Sequence, residues 1–402
     1  MPRLAVYLQN LQRFGIQPGL ERIVALLASV GNPHQKYPHI LIGGTNGKGS
    51  TCEYVARMFA QNGRHIGLYT SPHLYQWNER IRVLPGEGLF AGTICDDELD
   101  ALFDDALPHI EKVAAELGQP TEFEVLTLLA LWHFERVGVD AAVLEVGLGG
   151  KWDATNAADP LVSVVTHVAL DHMDRLGDTL EKIAADKVCI ARPNRPFITG
   201  EWKPEVLAVF EAHCTQVGAH FKHIPLSHQN YERQNRALSI VVANEFASQL
   251  GWSQSLPDSL MDGVPGRTEK IADSPAIYID AANNPDGAQK FVEFFHERIP
   301  TQPENVILVL GILKDKNWRE MAEILVPLAR TLICCQSGSP RALIAEELAE
   351  FSRNIHPHVE VIADVKLAVE RARELAAASD TIVVTGSFTT IAEVPRDANY
   401  SP

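Results

Sequence analysis

The chain has 402 residues, 46% of them apolar and 21% charged, with a formal net charge of −16, the profile of a globular protein of two or three domains. No apolar run reaches membrane-spanning length and no block of Lys and Arg offers a nucleic-acid footprint, so neither a membrane nor a nucleic acid is expected as a partner. Six scattered cysteines without a C-x-x-C pair argue against a disulfide framework or a zinc site, and an N-terminus lacking a continuous apolar stretch completes the expectation of a cytoplasmic protein.

In chain order, apolar and β-branched runs at 39–44, 66–70, 141–147, 162–168 and 196–200 predict strands. Amphipathic stretches at 50–62, 98–117, 122–137 and 178–191 predict the helices between them. Continuously apolar strands separated by helices imply a parallel sheet buried on both faces. The pattern then restarts. Runs at 276–281, 306–312, 331–336, 359–364 and 381–387 alternate with four further helical segments and predict a second doubly wound sheet. The Gly-, Pro- and charge-rich stretch 262–275 is the expected boundary region.

Residues 43–51 read GGTNGKGST, between a predicted strand and a predicted helix. Glycines let successive backbone N–H groups turn toward one anion, and the helix N-terminus adds roughly half a positive charge there. Thr45, Asn46, Gly47, Lys48, Gly49, Ser50 and Thr51 are therefore candidate nucleotide contacts. Lys48 would reach the terminal phosphates, and the Ser50 hydroxyl a Mg²⁺ ion. A plain strand–helix turn has no need of Lys followed by Gly-Ser-Thr. The spacing is not the standard Walker pattern, since position 42 is Ile.

Glu145 ends a predicted strand and His172 follows the end of the next. Ligands of open α/β sheets gather outside such strand ends, where a carboxylate is a natural hard-oxygen ligand for Mg²⁺. Taken alone, His172 reads as a surface loop histidine and Lys187 as a solvated helical lysine. Arg267 alone reads as a linker charge. Phe123, on an amphipathic helix, fits the core as well as a binding site.

GTNGKGS resembles the phosphate loop of the Mur ligase superfamily. The stretches YLQNLQRFGIQPGLERI, TSPHL, NERIRV, TEFEVLT, LEVGLGGKWDATN, HVALDHMDRLGDTLEKIAADK and TGSF narrow the resemblance to its folylpolyglutamate synthase/dihydrofolate synthase branch, over nearly the whole chain. The resemblance implies an α/β fold: an N-terminal P-loop ATPase domain with a mostly parallel sheet (1–267) that carries the folate site, plus a smaller C-terminal Rossmann-like α/β domain (268–402). It implies an ATP-dependent ligase joining L-glutamate to dihydropteroate or folate through an acyl phosphate, with two domains closing over the site. It assigns Mg²⁺ at two sites to Ser50, Ser71, Glu145, His172 and a carbamylated Lys187, with K⁺ as a further candidate ion. Lys48, His172 and Lys187 become the catalytic candidates. Asn235, Arg267 and Asp280 join the nucleotide contacts. Thr121, Glu122, Phe123, Glu124, Trp152, Asp153 and Ala154 become the folate pocket, with Phe123 and Trp152 able to stack a pterin. Family analogy suggests a monomer.

Three departures stand out. Relatives commonly carry Asp-Gly-Ala-His-Asn-Pro where this chain has Asp280-Ala281-Ala282-Asn283-Asn284-Pro285. Alanine resists positive φ, so a different loop path is expected, and Asn283 cannot titrate near neutral pH as a histidine does. Asp186 stands before Lys187 where the family usually has Glu. The segment after residue 202 is shorter than in relatives, which should alter one wall of the ATPase domain. Two alternatives follow: a paralogue joining another amino acid to a non-folate acid, and a catalytically inactive nucleotide-binding regulator. Against the second stands the joint presence of Lys48, Ser50, Glu145, His172 and Lys187.

Overall fold

The computed structural model describes residues 3–11, 17–86, 90–226, 231–253, 263–299 and 301–396. Residues 12–16 of the first family-like stretch, residues 227–230 and the first residue of the 262–275 boundary stretch lie outside these. The chain divides into two compact units, Met1–Met261 and Asp262–Pro402.

The first unit holds strands β1 (His39–Gly43), β2 (Ile66–Tyr69), β3 (Ile81–Leu84), β4 (Ala141–Glu145), β5 (Val162–Val165), β6 (Pro196–Thr199) and β7 (His220–His223). Their order is β3-β2-β4-β1-β5-β6-β7. All neighbours are parallel except β3, which runs antiparallel to β2. Every residue of β1, β4 and β5 is buried, which is why these strands read as largely apolar runs. β1 sits in the middle, with Ile42 level with Glu145 of β4 and Gly43 level with Val165 of β5. The chain leaves β1 toward one edge and returns past it toward the other. The crevice at the C-terminal end of β1 is thus a topological switch point, the usual ligand position in such sheets.

The helix Lys48–Gln61 follows β1 and buries Val55, Met58 and Phe59. It packs against the helix Tyr231–Leu250. The helix Glu122–Val137 is capped at its start and buries most of its length in the first unit's core.

The second unit holds β8 (Glu269–Asp273), β9 (Ala276–Asp280), β10 (Val306–Leu310), β11 (Thr331–Gln336), β12 (Val359–Asp364) and β13 (Thr381–Thr385). Their order is β12-β11-β10-β13-β9-β8, parallel except for β8 against β9. A separate core built around Phe291, Leu308, Leu310 and Met321 fills this unit.

Strands β3, β7 and β8 were not expected from apolar runs. β7 is largely exposed and carries no apolar run to find. β3 contains the buried Arg82, whose guanidinium donates to Glu53 at 2.6 and 3.1 Å, so the charge that breaks its apolar pattern is neutralised inside. No helix among the described residues is long and apolar enough to cross a membrane.

Candidate active site

The turn from β1 into the helix Lys48–Gln61 is made by residues 44–47. Gly47 has φ 85°, a left-handed conformation that costs other residues energy. A Cβ there would also lie 2.5 Å from Asn235 Oδ1, so Asn235 stands directly over the loop. The loop is anchored on the segment after β5. Thr45 N–H donates to His167 O at 2.6 Å, Thr45 Oγ1 accepts from Ala169 N–H at 3.1 Å, and Thr166 Oγ1 donates to Asn46 O at 2.7 Å. Lys48 Nζ donates to Thr45 O at 3.2 Å, a neutral acceptor that a phosphate oxygen can replace. Ser50 is buried in the first turn. Thr51 Oγ1 and Thr51 N–H both donate to Gly47 O, at 2.8 and 2.9 Å, so both of its donors are used within its own helix.

Glu145 closes the other side. Its Oε2 accepts from Ser71 N–H at 2.9 Å and lies 3.5 Å from where a Cβ on Gly49 would be. One carboxylate therefore touches the loop after β2 and borders the start of the helix Lys48–Gln61.

Lys187 ends the helix Leu180–Lys187, is 4% exposed, and donates to Gly44 O at 2.9 Å. Burial, reinforced by the neighbouring Lys48 ammonium, lowers its pKa to about 7, against the pull of Asp186, Asp171 and Asp153. Asp186 also accepts from Lys151 N–H at 3.3 Å, so it braces a neighbouring loop. His172 sits in the left-handed region at φ 51°, one residue after Asp171, and opens the short helix Met173–Leu176.

Among the described residues, no group of three or more His, Cys, Asp or Glu side chains could by itself hold a metal ion. The donors at hand are one carboxylate beside backbone, hydroxyl and loop groups. That suits Mg²⁺, which usually takes one or two carboxylates and completes its shell with water and substrate phosphate.

The folate-pocket candidates divide by what they touch. Thr121 and Glu124 form a capping box, each bonding the other's backbone N–H, and Glu124 also accepts from Arg22 at 3.1 Å. Asp153 accepts from Leu148 N–H at 2.9 Å and Thr155 N–H at 3.0 Å, with its carboxyl pushed up by burial. These three carboxyl and hydroxyl groups therefore build the wall from within, and Ala154 is buried beside them. Phe123 packs at 5.8 Å from the Tyr69 ring. A Cβ on Gly147 would lie 2.7 Å from the tip of Phe123, so that glycine makes room for the ring. Trp152 is 48% exposed, with Lys151 Nζ 4.8 Å from its ring centre.

Residues with no role expected from sequence also line this corner. Arg80 is buried, donates from Nε to His73 Nδ1 at 3.0 Å, and lies 3.6 Å from Glu122. Burial lowers the His73 pKa to about 3, with Arg80 adding to the shift, so His73 is a neutral acceptor. The signal was present in TSPHL and NERIRV, but a histidine and an arginine seven residues apart do not announce a contact.

In the second unit, Asp280 ends β9 and its carboxylate accepts from Thr268 N–H and Ala282 N–H, each at 2.8 Å. Burial raises its pKa, and Arg267 opposes that. Arg267 lies over the Phe388 ring at 4.7 Å. Ala281 follows a path that alanine can take. The left-handed non-glycine residues described are Asn32, His172, Asn194 and Thr268, so Ala281 keeps an ordinary φ and its N–H donates to Gly266 O at 2.9 Å. Asn284 then caps the helix Pro285–Arg298 by accepting from Gly287 N–H at 2.8 Å.

Comparison with known proteins adds the family. The Mur ligase middle domain matches residues 42–198, and the Mur ligase glutamate ligase domain matches residues 266–388. The dihydrofolate synthase/folylpolyglutamate synthase of Bacillus subtilis is 33% identical over 85% of this chain and 86% of its own length. A probable bifunctional folylpolyglutamate synthase/dihydropteroate synthase of Haloferax volcanii is 34% identical over 96% of this chain, which spans 49% of that longer relative. Among solved structures, Escherichia coli FolC in complex with DHPP and ADP superimposes with a TM-score of 0.82, at 28% identity over 97% of this chain and 96% of that one.

Proposed function

This chain belongs to the Mur ligase family, in its dihydrofolate synthase/folylpolyglutamate synthase branch of ATP-dependent ligases, and from that membership we propose that it adds L-glutamate to dihydropteroate, to (tetrahydro)folate polyglutamates, or to both. The observation that carries the proposal is the convergence at the end of β1. The phosphate loop, Glu145 beside Gly49, and Lys187 on Gly44 O meet there.

A carboxylate does not acylate an amine unaided, because its leaving oxygen is too basic. In the proposed reaction the acid's carboxylate oxygen attacks the γ-phosphorus of ATP and ADP leaves. The amine of glutamate then attacks the acyl phosphate, loses a proton, and phosphate departs from the tetrahedral intermediate. The protein's part is placement and charge neutralisation. Backbone N–H groups of residues 46–50 would hold the phosphates, Lys48 would exchange Thr45 O for a γ-phosphate oxygen, and Asn235 would close the loop from above. Arg267 and Asp280 are further nucleotide contacts in the proposal. Phe123, Glu122 and Trp152 would meet the pterin and its linker, on a wall shaped by Thr121, Glu124, Asp153 and Ala154.

Ser50, Ser71 and Glu145 would hold one Mg²⁺, and His172 with Lys187 a second. Such ions supply positive charge against the phosphate oxygens. An ammonium is no metal ligand, so the second site requires a modified Lys187. The buried amine is neutral in substantial part near pH 7, and that is the form carbon dioxide carbamylates. K⁺ is the remaining candidate ion. The proposal takes the protein as a cytoplasmic monomer, which sedimentation would check.

The test is phosphate release with ATP and Mg²⁺, comparing dihydropteroate plus glutamate with tetrahydrofolate plus glutamate. Glutamate-dependent release with at least one is expected. Turnover with a non-pterin acid alone would overturn the assignment.

A further inference from the structure

Glu201 is fully buried, carries a charge, and belongs to none of the groups assigned above. It follows β6, next to the β5 segment on which the phosphate loop rests. Its Oε2 accepts from Val168 N–H at 2.7 Å and lies 3.2 Å from His167 Nδ1. Its Oε1 accepts from Trp202 N–H at 2.9 Å and Lys203 N–H at 3.1 Å, with Lys203 Nζ at 3.7 Å.

The following two residues complete the enclosure. The Trp202 ring stacks on His167, with centroids 4.2 Å apart and planes 10° off parallel. Lys203 Nζ donates to Val168 O at 2.9 Å and lies 3.3 Å from His167 Nε2. Both nitrogens and one face of the imidazole are thus covered from residues 201–203. What these contacts fix is the backbone of His167 and Val168. The His167 carbonyl accepts the 2.6 Å bond from Thr45 N–H, and Thr45 O in turn accepts from Lys48 Nζ. From Glu201 the line runs through the Val168 N–H and the adjoining His167 carbonyl to Thr45 and Lys48.

We propose that Glu201, with Lys203, is a positioning residue for nucleotide binding: it locks the 166–169 segment against which Thr45 and the phosphate loop are set. It touches no reacting atom. Charge-assisted hydrogen bonds in a water-free setting are stronger than neutral ones and hold geometry more tightly. A loosened anchor therefore weakens the nucleotide specifically, because Thr45 belongs to the phosphate loop and no folate-pocket candidate rests on this segment.

The inference rests on the ATP-dependent reading, so nucleotide binding is measured apart from turnover. Wild type, Glu201→Gln, Glu201→Asp and Lys203→Met are titrated with ADP by calorimetry and assayed for phosphate release. Glu201→Gln should raise the ADP Kd and the KM for ATP by about tenfold, with kcat and the KM values for acid and glutamate within about twofold. Glu201→Asp should recover part of the loss. Lys203→Met, at a partly exposed site, should raise the KM for ATP by about threefold and carries the test if Glu201→Gln does not fold. An unchanged KM for ATP in folded variants overturns the inference, as does an equal change in every kinetic constant. If wild type binds no ADP, the nucleotide reading fails and the inference falls with it.

Discussion

Replacing Lys48 by alanine removes an ammonium whose only protein hydrogen bond described is to Thr45 O. Lys48→Ala should lower phosphate release at least about a thousandfold while shifting the melting temperature by less than about 2 °C, as paired kinetic and thermal measurements will show. Gly47→Ala should fail differently, through a strained backbone and a collision with Asn235. Glu201 makes a pH prediction. Burial opposes its charge, but the adjacent His167 imidazole, the Lys203 ammonium and the Val168 N–H outweigh that and lower its pKa from 4.5 to about 2. A carboxylate depressed in the folded state stabilises above its unfolded pKa and loses that contribution as pH falls through its folded one. Roughly 3 kcal/mol of stability should therefore be present above about pH 4.5 and vanish toward pH 2. Urea midpoints of wild type and Glu201→Gln should differ most near pH 6 and converge in acid.

At the scale of elements, Gly147 and the helix Glu122–Val137 offer a test of the proposed acid-binding wall. Gly147→Ala presses a methyl onto the Phe123 ring, and overpacking of this kind costs about 1–3 kcal/mol. The KM for the pterin acid should rise while that for ATP stays put. The strands were legible where both faces are buried. β1, β4 and β5 read as apolar runs because the few polar residues in them, His39, Ser163 and Glu145, are outnumbered by buried apolar ones. β3 was not, because Arg82 is tolerable only beside Glu53, which is 29 residues away in sequence. The glycine loop could be read locally as a strand–helix turn, since it lies within nine consecutive residues. Glu201 and Arg80 could not, because their partners come from other strands and other loops.

Across the whole molecule, the apolar interior is divided into a core for residues up to 261 and another for those after. Unfolding should then depart from a single two-state transition, with a calorimetric enthalpy exceeding the van't Hoff value. ADP should raise the transition of the first unit, which carries the phosphate loop, by mass action, and the Glu201→Gln variant should show a smaller rise. The same division bears on how the protein is made. All seven strands of the first sheet, and the helix Tyr231–Leu250 that covers the phosphate helix, are encoded before residue 262. At about 5–20 residues per second, the ribosome needs roughly seven to thirty seconds to add residues 262–402. The nascent chain therefore has time to bury the apolar surface of its first unit, out of reach of chaperones, while the second unit is still being translated.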